Sequence, residues 1–241
     1  MNKISDKAFI GEGVVIGKNN VISPNVSIIG NTVIGDNNYF APGVTIGFPS
    51  RQIVKPRKWE KNKVLNPNNK VVIGSNCSFF EYLSIHPSLS AVTLIEDNVS
   101  IGSSSHIGHD CHIKRDAILS SNVSLAGYTI ISEYANIGLG VSFHQRSVVG
   151  AYSMVGMNCA CKGYVYPFSV VVGVPASFLK INYIGLKRNG FSEDLIKSIE
   201  NHVLLNFKLI DSFKKVVQDF EVDCQKYKNK KLNLRVIRNE L

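Results

Sequence analysis

The chain has 241 residues, of which 44% are hydrophobic and 19% charged, which excludes a disordered polymer and predicts one large domain or a domain with a small appendage. Its net charge of +9 is concentrated in residues 51–63 and 176–241, which favours an acidic protein partner, and we expect no nucleic acid. We also expect a cytoplasmic protein without an integral membrane segment, because the N-terminus lacks an apolar leader and no apolar run is long enough to span a bilayer.

Aliphatic residues recur at every sixth position through most of the chain up to Cys161. The series runs from Ile4 to Ile46, resumes from Ile73 to Ile85, and continues without a break from Ile95 to Cys161. A period of six fits neither a helix nor a single strand, but it is typical of a hexapeptide β-helix in which three hexads make one coil. We therefore predict an all-β parallel β-helix over residues 1–175. Four cysteines fall on inward positions of this pattern, so we interpret Cys159-Ala-Cys161 as core and not as a zinc site.

Two interruptions and a change of pattern divide the chain further. Residues 48–72 form a basic loop with the only tryptophan, Trp59, and residues 86–94 add four residues to one coil. Solenoid insertions often form the binding face, although a tolerated surface loop is the alternative for the second one. Residues 176–241 are predicted to be a helical cap that covers the open end of the solenoid. One helix is expected to begin at Ser192, a second to cover Leu209–Phe220 and a third to cover Val222–Val236.

Because three hexads make one coil, each residue is expected to lie above the residue three hexads earlier. Four histidines and several polar residues then converge on one corner, whereas an isolated histidine would be read as an ordinary surface residue. The columns are Asp110 with Tyr128 and Arg146, His109 with Gly127 and Gln145, and Gly108 with Ala126 and His144, with His86 in the last column and His106 just before the corner.

Imidazole titrates near neutral pH and can take a proton from a hydroxyl or an amine. We therefore predict that His109 is a general base, that Asp110 orients it, and that the Gly127 N–H receives an oxyanion. No Ser, Cys or Lys nucleophile is expected beside this cluster, which favours direct attack by a substrate hydroxyl over a covalent enzyme intermediate.

Several motifs resemble one family over nearly the whole chain, the acyl-carrier-protein-dependent UDP-N-acetylglucosamine O-acyltransferases of lipid A synthesis. The motifs are the hexads, His106-Ile-Gly-His109-Asp110-Cys, Leu125-Ala-Gly127, His144-Gln145 and Asn182-Tyr-Ile-Gly185-Leu-Lys-Arg-Asn-Gly-Phe191. The resemblance implies a left-handed β-helix and a homotrimer with sites between subunits.

The resemblance also implies a reaction. His109 would deprotonate the sugar 3-hydroxyl, which attacks the thioester of a 3-hydroxyacyl group on the 4'-phosphopantetheine of acyl carrier protein, so no other cofactor and no metal is expected. His106, His144 and Gln145 would contact the sugar nucleotide or support the base, and Asn182 and Arg188 would lie near the nucleotide and the pantetheine. Met157 would end the acyl groove and select a chain shorter than a glycine there would admit.

The chain departs from the family pattern at positions that concern the acceptor. Tyr128 stands where the family usually has a histidine, and the stretch beginning at Ser50 has no acidic residue. Ile184 and Asn189 replace a glutamate and an arginine near the uridine. These departures favour, as an alternative, an acyl- or acetyl-CoA-dependent N- or O-acyltransferase on another nucleotide sugar. Two further alternatives are a zinc hydratase of the hexapeptide carbonic-anhydrase type and a non-catalytic solenoid.

Overall fold

A computed structural model describes residues 1–50, 68–205, 211–227 and 235–237. Short strands wind into a prism with three sheets, A, B and C, so that consecutive strands up to Ser169–Val172 belong to different sheets and pair in parallel with strands of the neighbouring coils. The predicted parallel β-solenoid is confirmed. The left-handed winding, which was taken from the resemblance, stays a prediction. The basic loop at residues 51–63 and Trp59 lie outside the described residues.

Each sheet contains strands from successive coils, which follow one another in space as they do along the chain. Sheet A contains Lys3–Ile4 (β1), Val21–Ile22 (β4), Tyr39–Phe40 (β7), Ser78–Phe79 (β10), Ser100–Ile101 (β13), Ile118–Leu119 (β16), Asn136–Ile137 (β19), Met154–Val155 (β22), Ser169–Val172 (β25) and Ser177–Ile181 (β26). Sheet B contains Phe9–Ile10 (β2), Ser27–Ile28 (β5), Thr45–Ile46 (β8), Ser84–Ile85 (β11), His106–Ile107 (β14), Ser124–Leu125 (β17), Ser142–Phe143 (β20) and Ala160–Cys161 (β23). Sheet C contains Val15–Ile16 (β3), Asn31–Ile34 (β6), Lys70–Ile73 (β9), Thr93–Ile95 (β12), His112–Ile113 (β15), Ile130–Ile131 (β18), Val148–Val149 (β21), Gly163–Val165 (β24) and Arg235–Ile237 (β27).

The second residue of most short strands points into the prism and is buried, for example Ile28, Ile46 and Ile85. Since side chains alternate between the two faces of a strand, the first residue points outward, and this is why His106 and His112 stand on the outer surface. The predicted inward cysteines are confirmed as buried free thiols at Cys77, Cys111, Cys159 and Cys161. Burial raises the pKa of Cys77 to about 11 and that of Cys111 to about 12, so these thiols stay neutral and pack as small apolar groups.

The strand register confirms the predicted length of a coil. Ser100 pairs with Ile118, and His106 pairs with Ser124, in each case three hexads further along the chain. Across the second interruption Ser84 pairs with His106, a longer step, so the extra residues are accommodated in one turn without loss of register. Both predicted insertions are too long at their C-terminal ends, because β9 begins at Lys70 and β12 begins at Thr93.

Among the described residues, three helices follow the last coils: Tyr183–Arg188 (α1), Glu193–Leu205 (α2) and Asp211–Gln225 (α3). The predicted cap at Ser192 is confirmed, since its hydroxyl accepts the Leu195 N–H at 3.3 Å. The predicted helix over Val222–Val236 is wrong. One helix, α3, ends at Gln225, and residues 235–237 form β27, which pairs with β24 at the edge of sheet C.

The C-terminal segment covers more than the open end of the solenoid. β26 pairs antiparallel with β25 and so covers the edge of sheet A. α2 contributes Ile196, Ile199 and Val203 to a core with Phe168 and Ile181. α3 instead lies on the outer face of sheet C, a placement that the prediction missed, with buried residues Ile130, Val148, Tyr164, Phe220 and Cys224 between them. The predicted boundary after residue 175 therefore passes through sheets A and C, because β26 and β27 follow it in the chain and belong to those sheets.

Candidate active site

The predicted base and its carboxylate partner form a buried pair at the corner between sheets B and C. His109 Nδ1 lies 2.9 Å from Asp110 Oδ2, and the two residues are 5% and 7% exposed. A carboxylate only accepts hydrogen bonds, so His109 donates from Nδ1 and its Nε2 carries the lone pair in the neutral ring. The corner can thus present an imidazole nitrogen that is able to accept a proton.

The second insertion holds Asp110. The backbone N–H groups of Leu89, Ser90 and Ala91 donate to its carboxylate at 2.8, 3.0 and 2.9 Å, and the Ser90 hydroxyl donates at 3.0 Å. Thr93 Oγ1 accepts the Asp110 N–H at 2.8 Å. Burial by itself would raise the pKa of Asp110, but the hydrogen bonds from His109 and the three N–H groups outweigh it and hold the pKa below the usual aspartate range. The second insertion therefore supplies four hydrogen bonds to Asp110, and its role as a binding face stays a prediction.

Gly127 lies directly against the His109 ring. A Cβ added at Gly127 would stand 2.4 Å from His109 Cε1 and 2.5 Å from Nε2. Any larger residue would therefore displace the imidazole. This close approach confirms that His109 and Gly127 are neighbours in one column, as the hexad count predicts.

Tyr128 and Arg146 complete the column of Asp110. The Tyr128 ring contacts His109 edge-on, with ring centroids 5.0 Å apart and an interplanar angle of 89°. The Arg146 guanidinium carbon lies 4.9 Å from the Tyr128 ring centroid. The Tyr128 hydroxyl is 3.3 Å from Ser90 Oγ. Ser90 thus stands at the corner, with its hydroxyl on Asp110 and not on the imidazole.

His86 and His106 lie beside each other, with ring centroids 4.8 Å apart. His86 Nδ1–H donates to the Phe48 carbonyl at 2.8 Å, and His106 Nδ1 lies 3.1 Å from Ser84 Oγ. Burial is the main cause that lowers the pKa of both histidines; repulsion from His109 adds to it for both rings, and repulsion from His86 adds more for His106. The lowered pKa values favour the neutral rings, which act as hydrogen-bonding groups, over the cations.

His144 and Gln145 stand one coil above this site, as predicted. The Arg146 N–H donates to the Gly127 carbonyl at 3.1 Å, which fixes Gln145 beside Gly127. His144 is exposed, and its Nδ1 lies 3.1 Å from the Gln145 carbonyl. His112, which lies in the same motif, points from sheet C and binds Glu96 at 2.6 Å, so it does not join the corner.

The remaining predicted site residues lie elsewhere in this chain. Asn182 caps α1 by accepting the Gly185 N–H at 3.1 Å and donates to the Tyr152 carbonyl at 2.8 Å. Asn182 and Arg188 line a cavity of about 400 Å³ over sheet A. Met157 is 66% exposed in the turn between β22 and β23, at the corner between sheets A and B. The structure therefore does not bring Asn182, Arg188 and Met157 to the histidine corner.

The cavity over sheet A is lined by Ile184 and Asn189, two of the departures from the family pattern. It is also lined by residues that sequence reasoning missed, namely Asp116, Tyr134, Asn136 and Lys180. A signal for Tyr134 was available, because it stands three hexads before Tyr152, and the two rings stack with centroids 4.8 Å apart. Ser90 and Thr93 had no such signal.

The described part of the chain bears on two other interpretations. Its residues contain no group of three His, Cys, Asp or Glu side chains placed to hold a metal ion. No helix among them has the length and apolarity needed to cross a membrane.

Three segments of the chain match two family models. Residues 13–47 and 93–127 match the family described as bacterial transferase hexapeptide (six repeats). Residues 165–240 match the second domain of the UDP-N-acetylglucosamine O-acyltransferases. The resemblance inferred from the motifs is confirmed by these matches and by the relatives that follow.

A curated relative from Burkholderia orbicola, named acyl-[acyl-carrier-protein]–UDP-N-acetylglucosamine O-acyltransferase, is 36% identical over 142 residues, which cover 58% of this chain and 54% of the relative. The matched part thus spans about half the length of the curated relatives. A crystal structure of a UDP-N-acetylglucosamine acyltransferase from Bacteroides fragilis covers 98% of both chains with a TM-score of 0.72 and 25% identity. The acyltransferase from Campylobacter jejuni shows the same fold, with a TM-score of 0.73, 23% identity, and coverage of 99% of this chain and 98% of that one.

Proposed function

Because the chain resembles the UDP-N-acetylglucosamine O-acyltransferases in its hexads, its C-terminal domain and its fold, we propose that it is an acyltransferase of the same kind. It transfers a 3-hydroxyacyl group from acyl carrier protein to the 3-hydroxyl of UDP-N-acetylglucosamine or a related nucleotide sugar. The observation that carries this proposal is the buried His109–Asp110 pair with Gly127 against the imidazole.

The geometry supports general-base catalysis without a covalent enzyme intermediate. His109 Nε2 removes the proton of the sugar hydroxyl as its oxygen attacks the thioester carbonyl. The Gly127 N–H donates to the oxyanion of the tetrahedral intermediate, and Asp110 stabilises the imidazolium. As the C–S bond breaks, the imidazolium returns its proton to the pantetheine sulfur, so that the products are the acyl ester and the free thiol.

The other predicted residues are assigned to binding. His106, His144 and Gln145 contact the sugar nucleotide or support the base, and Asn182 and Arg188 lie near the nucleotide and the pantetheine. These two groups stand at different places on one chain, so we propose a homotrimer in which neighbouring subunits bring them together. Met157 ends the acyl groove and selects a chain shorter than a glycine there would admit. The acidic carrier protein is attracted by the basic C-terminal segment, and a cytoplasmic location stays a prediction.

One observation favours the second candidate, an acyl- or acetyl-CoA-dependent N- or O-acyltransferase acting on a different nucleotide sugar. Ile184 is 66% exposed, and with Asn189 it lines the cavity over sheet A, where the resemblance leads one to expect a carboxylate and a guanidinium. The apolar side chain of Ile184 cannot replace the hydrogen bonds that such a polar group would make to the uracil ring of a uridine nucleotide. The two candidates share the chemistry of His109 and differ in acceptor and donor.

The test combines a panel of substrates with a matched pair of variants. Purified protein is incubated with several nucleotide sugars and with acyl-ACP and acyl-CoA donors, and the products are identified by mass spectrometry. We expect His109→Ala to abolish transfer while the circular-dichroism melting curve is retained. His112→Ala, from the same motif but paired with Glu96 on sheet C, is expected to keep activity. Activity in His109→Ala would refute the general base, and transfer only from acyl-CoA would favour the second candidate.

A further inference from the structure

Ser90 links Tyr128 to the carboxylate of Asp110. The Ser90 hydroxyl lies 3.0 Å from Asp110 Oδ1 and 3.3 Å from the Tyr128 hydroxyl. Serine has one hydroxyl proton and a carboxylate can only accept, so Ser90 donates to Asp110 and Tyr128 donates to Ser90. The directions of these hydrogen bonds are therefore fixed, and they run from Tyr128 through Ser90 to Asp110.

The other oxygen of the same carboxylate accepts a hydrogen bond from the imidazole of His109. Asp110 Oδ1 accepts from the N–H groups of Ser90 and Ala91 and from the Ser90 hydroxyl, whereas Oδ2 accepts from the Leu89 N–H and from His109 Nδ1. Rotation of the carboxylate would break several of these bonds at once. A fixed Asp110 holds the Nδ1–H form of His109 and so keeps Nε2 as the acceptor.

Tyr128 itself is held from two sides. Its ring meets the edge of His109, and the Arg146 cation lies over it at 4.9 Å. The attraction between the cation and the ring helps to hold the ring in place. Tyr128 has a φ of 64°, a left-handed conformation that is costly for a bulky residue. The ring contacts and the hydroxyl bond offset that cost.

We propose that Ser90 and Tyr128 are positioning residues that act through Asp110 to hold His109 in its reactive tautomer. This inference rests on the proposed role of His109 as the base. It assigns Tyr128 to the support of the base and not to contact with the substrate. Other charged or titratable groups near this network are His86 and His106 on the sheet B side, Arg146 one coil above, and Tyr227, which follows α3.

The first test needs no substrate. The His109 Nδ1–H proton is assigned in the NMR spectrum by its loss in His109→Ala, and its exchange with solvent is then measured. We expect Ser90→Ala to accelerate this exchange about fivefold, the effect of losing roughly one net hydrogen bond, and Tyr128→Phe to accelerate it less. Ser90→Thr, which keeps a hydroxyl, restores slow exchange. Since Tyr128 acts through Ser90, the double variant should behave as Ser90→Ala alone.

The second test separates positioning from substrate binding. Tyr128→Phe should lower kcat about threefold with little change in KM, because the interaction it removes supports the transition state through His109. Tyr82→Phe is the matched control. Tyr82 is also a tyrosine in a left-handed turn, with φ of 60°, but it is 72% exposed at another corner.

Three outcomes discriminate. Unchanged exchange in both Ser90→Ala and Tyr128→Phe would overturn the proposal, and so would a rise in KM for Tyr128→Phe with kcat unchanged, which would make Tyr128 a substrate contact. Accelerated exchange in Ser90→Ala and Tyr128→Phe, combined with full transfer activity in His109→Ala, would instead refute the proposed function. The hydrogen bonds from Tyr128 through Ser90 to Asp110 would still be supported.

Discussion

The reactivity of the site depends on which atoms of His109 and Asp110 are already occupied. Nδ1 of His109 is bound to Asp110, and both oxygens of Asp110 are bound to the insertion. Only Nε2 of the imidazole is left for a substrate. The backbone at Asp110, Tyr128 and Arg146 is left-handed in each coil, with φ of 57°, 64° and 64°, whereas asparagine occupies many other turns of this kind. The left-handed turn belongs to the coil and not to this site alone, because Tyr82, Tyr134 and Tyr152 adopt it at other turns.

Gly127→Ala tests the close approach to the imidazole. The new Cβ would overlap the His109 ring, so the ring must turn away from Asp110. We expect loss of activity by about a hundredfold or more, because a displacement of roughly 1 Å at a reacting group has that effect. Acyl-transfer assays measure the loss of activity, and melting curves separately show whether the variant is still folded.

Gly11→Ala is the control for this change. Its Cβ would meet only ordinary or slightly tight contacts, at 3.2 to 3.4 Å, in a coil far from the histidines. Equal activity losses in the two variants would contradict a specific role of the Gly127 contact.

Asp110→Asn tests the contribution of the Asp110 charge to stability through its dependence on pH. The pKa of Asp110 lies below its ordinary value, so the carboxylate stabilises the folded state above the unfolded pKa, and this stabilisation is lost as the pH falls through the folded value. We expect the variant to be less stable by about 2 kcal/mol at pH 7, the size of hydrogen bonds to a charged group. The difference should shrink below about pH 4.

Urea unfolding at several pH values and one protein concentration measures this difference. A gap between wild type and Asp110→Asn that stays constant from pH 7 down to about pH 3 would contradict the argument, because it would show that ionisation of the carboxyl is not involved.

At the level of elements, the sequence predicts what repeats and misses what occurs once. Counting by coils places Asp110, Tyr128 and Arg146 correctly, because each intervening coil has the same length. The second insertion has no counterpart in another coil from which its structure could be predicted. The convergence of its three N–H groups on Asp110 depends on the direction of the backbone, which the pattern of side chains does not encode. The helix predicted up to Val236 fails for a similar reason. The unpaired edge of β24 binds residues 235–237 as a strand, whatever their helical spacing.

One buried ion pair attaches α3 to sheet C. Lys114 Nζ lies 2.9 Å from Asp223 Oδ2, and both side chains are largely buried. Burial alone would lower the pKa of Lys114, but Asp223 and Glu133 raise it, so the lysine stays charged. We expect Asp223→Ala to cost about 3 kcal/mol, because it leaves a buried ammonium group without its main partner.

The double variant Lys114→Met with Asp223→Ala should recover most of that loss, because it removes both charges. Lys226→Ala should cost less than about 1 kcal/mol, since Lys226 also pairs with Asp223 but is half exposed. Urea unfolding measures all three variants. A double variant as unstable as Asp223→Ala would attribute the loss to packing and not to the unpaired charge.

At the level of the whole molecule, the predicted site residues are spread around the prism. The histidine corner joins sheets B and C, the cavity with Asn182 and Arg188 lies over sheet A, and Met157 lies at the corner between sheets A and B. One chain alone cannot present all three groups to one substrate. A cyclic assembly in which the corner of one subunit faces sheet A of the next would join them.

Mixing two variants, each expected to be inactive alone, tests this arrangement. His109→Ala and Arg188→Ala are co-expressed with different affinity tags, and mixed oligomers are isolated with both tags. If each site takes His109 from one subunit and Arg188 from its neighbour, one interface of every mixed trimer contains both wild-type residues, which gives about a third of wild-type activity. If both residues came from the same chain, every site would carry one substitution and the mixture would stay as inactive as its parents. Recovered transfer, measured by mass spectrometry, therefore reports a site shared between subunits.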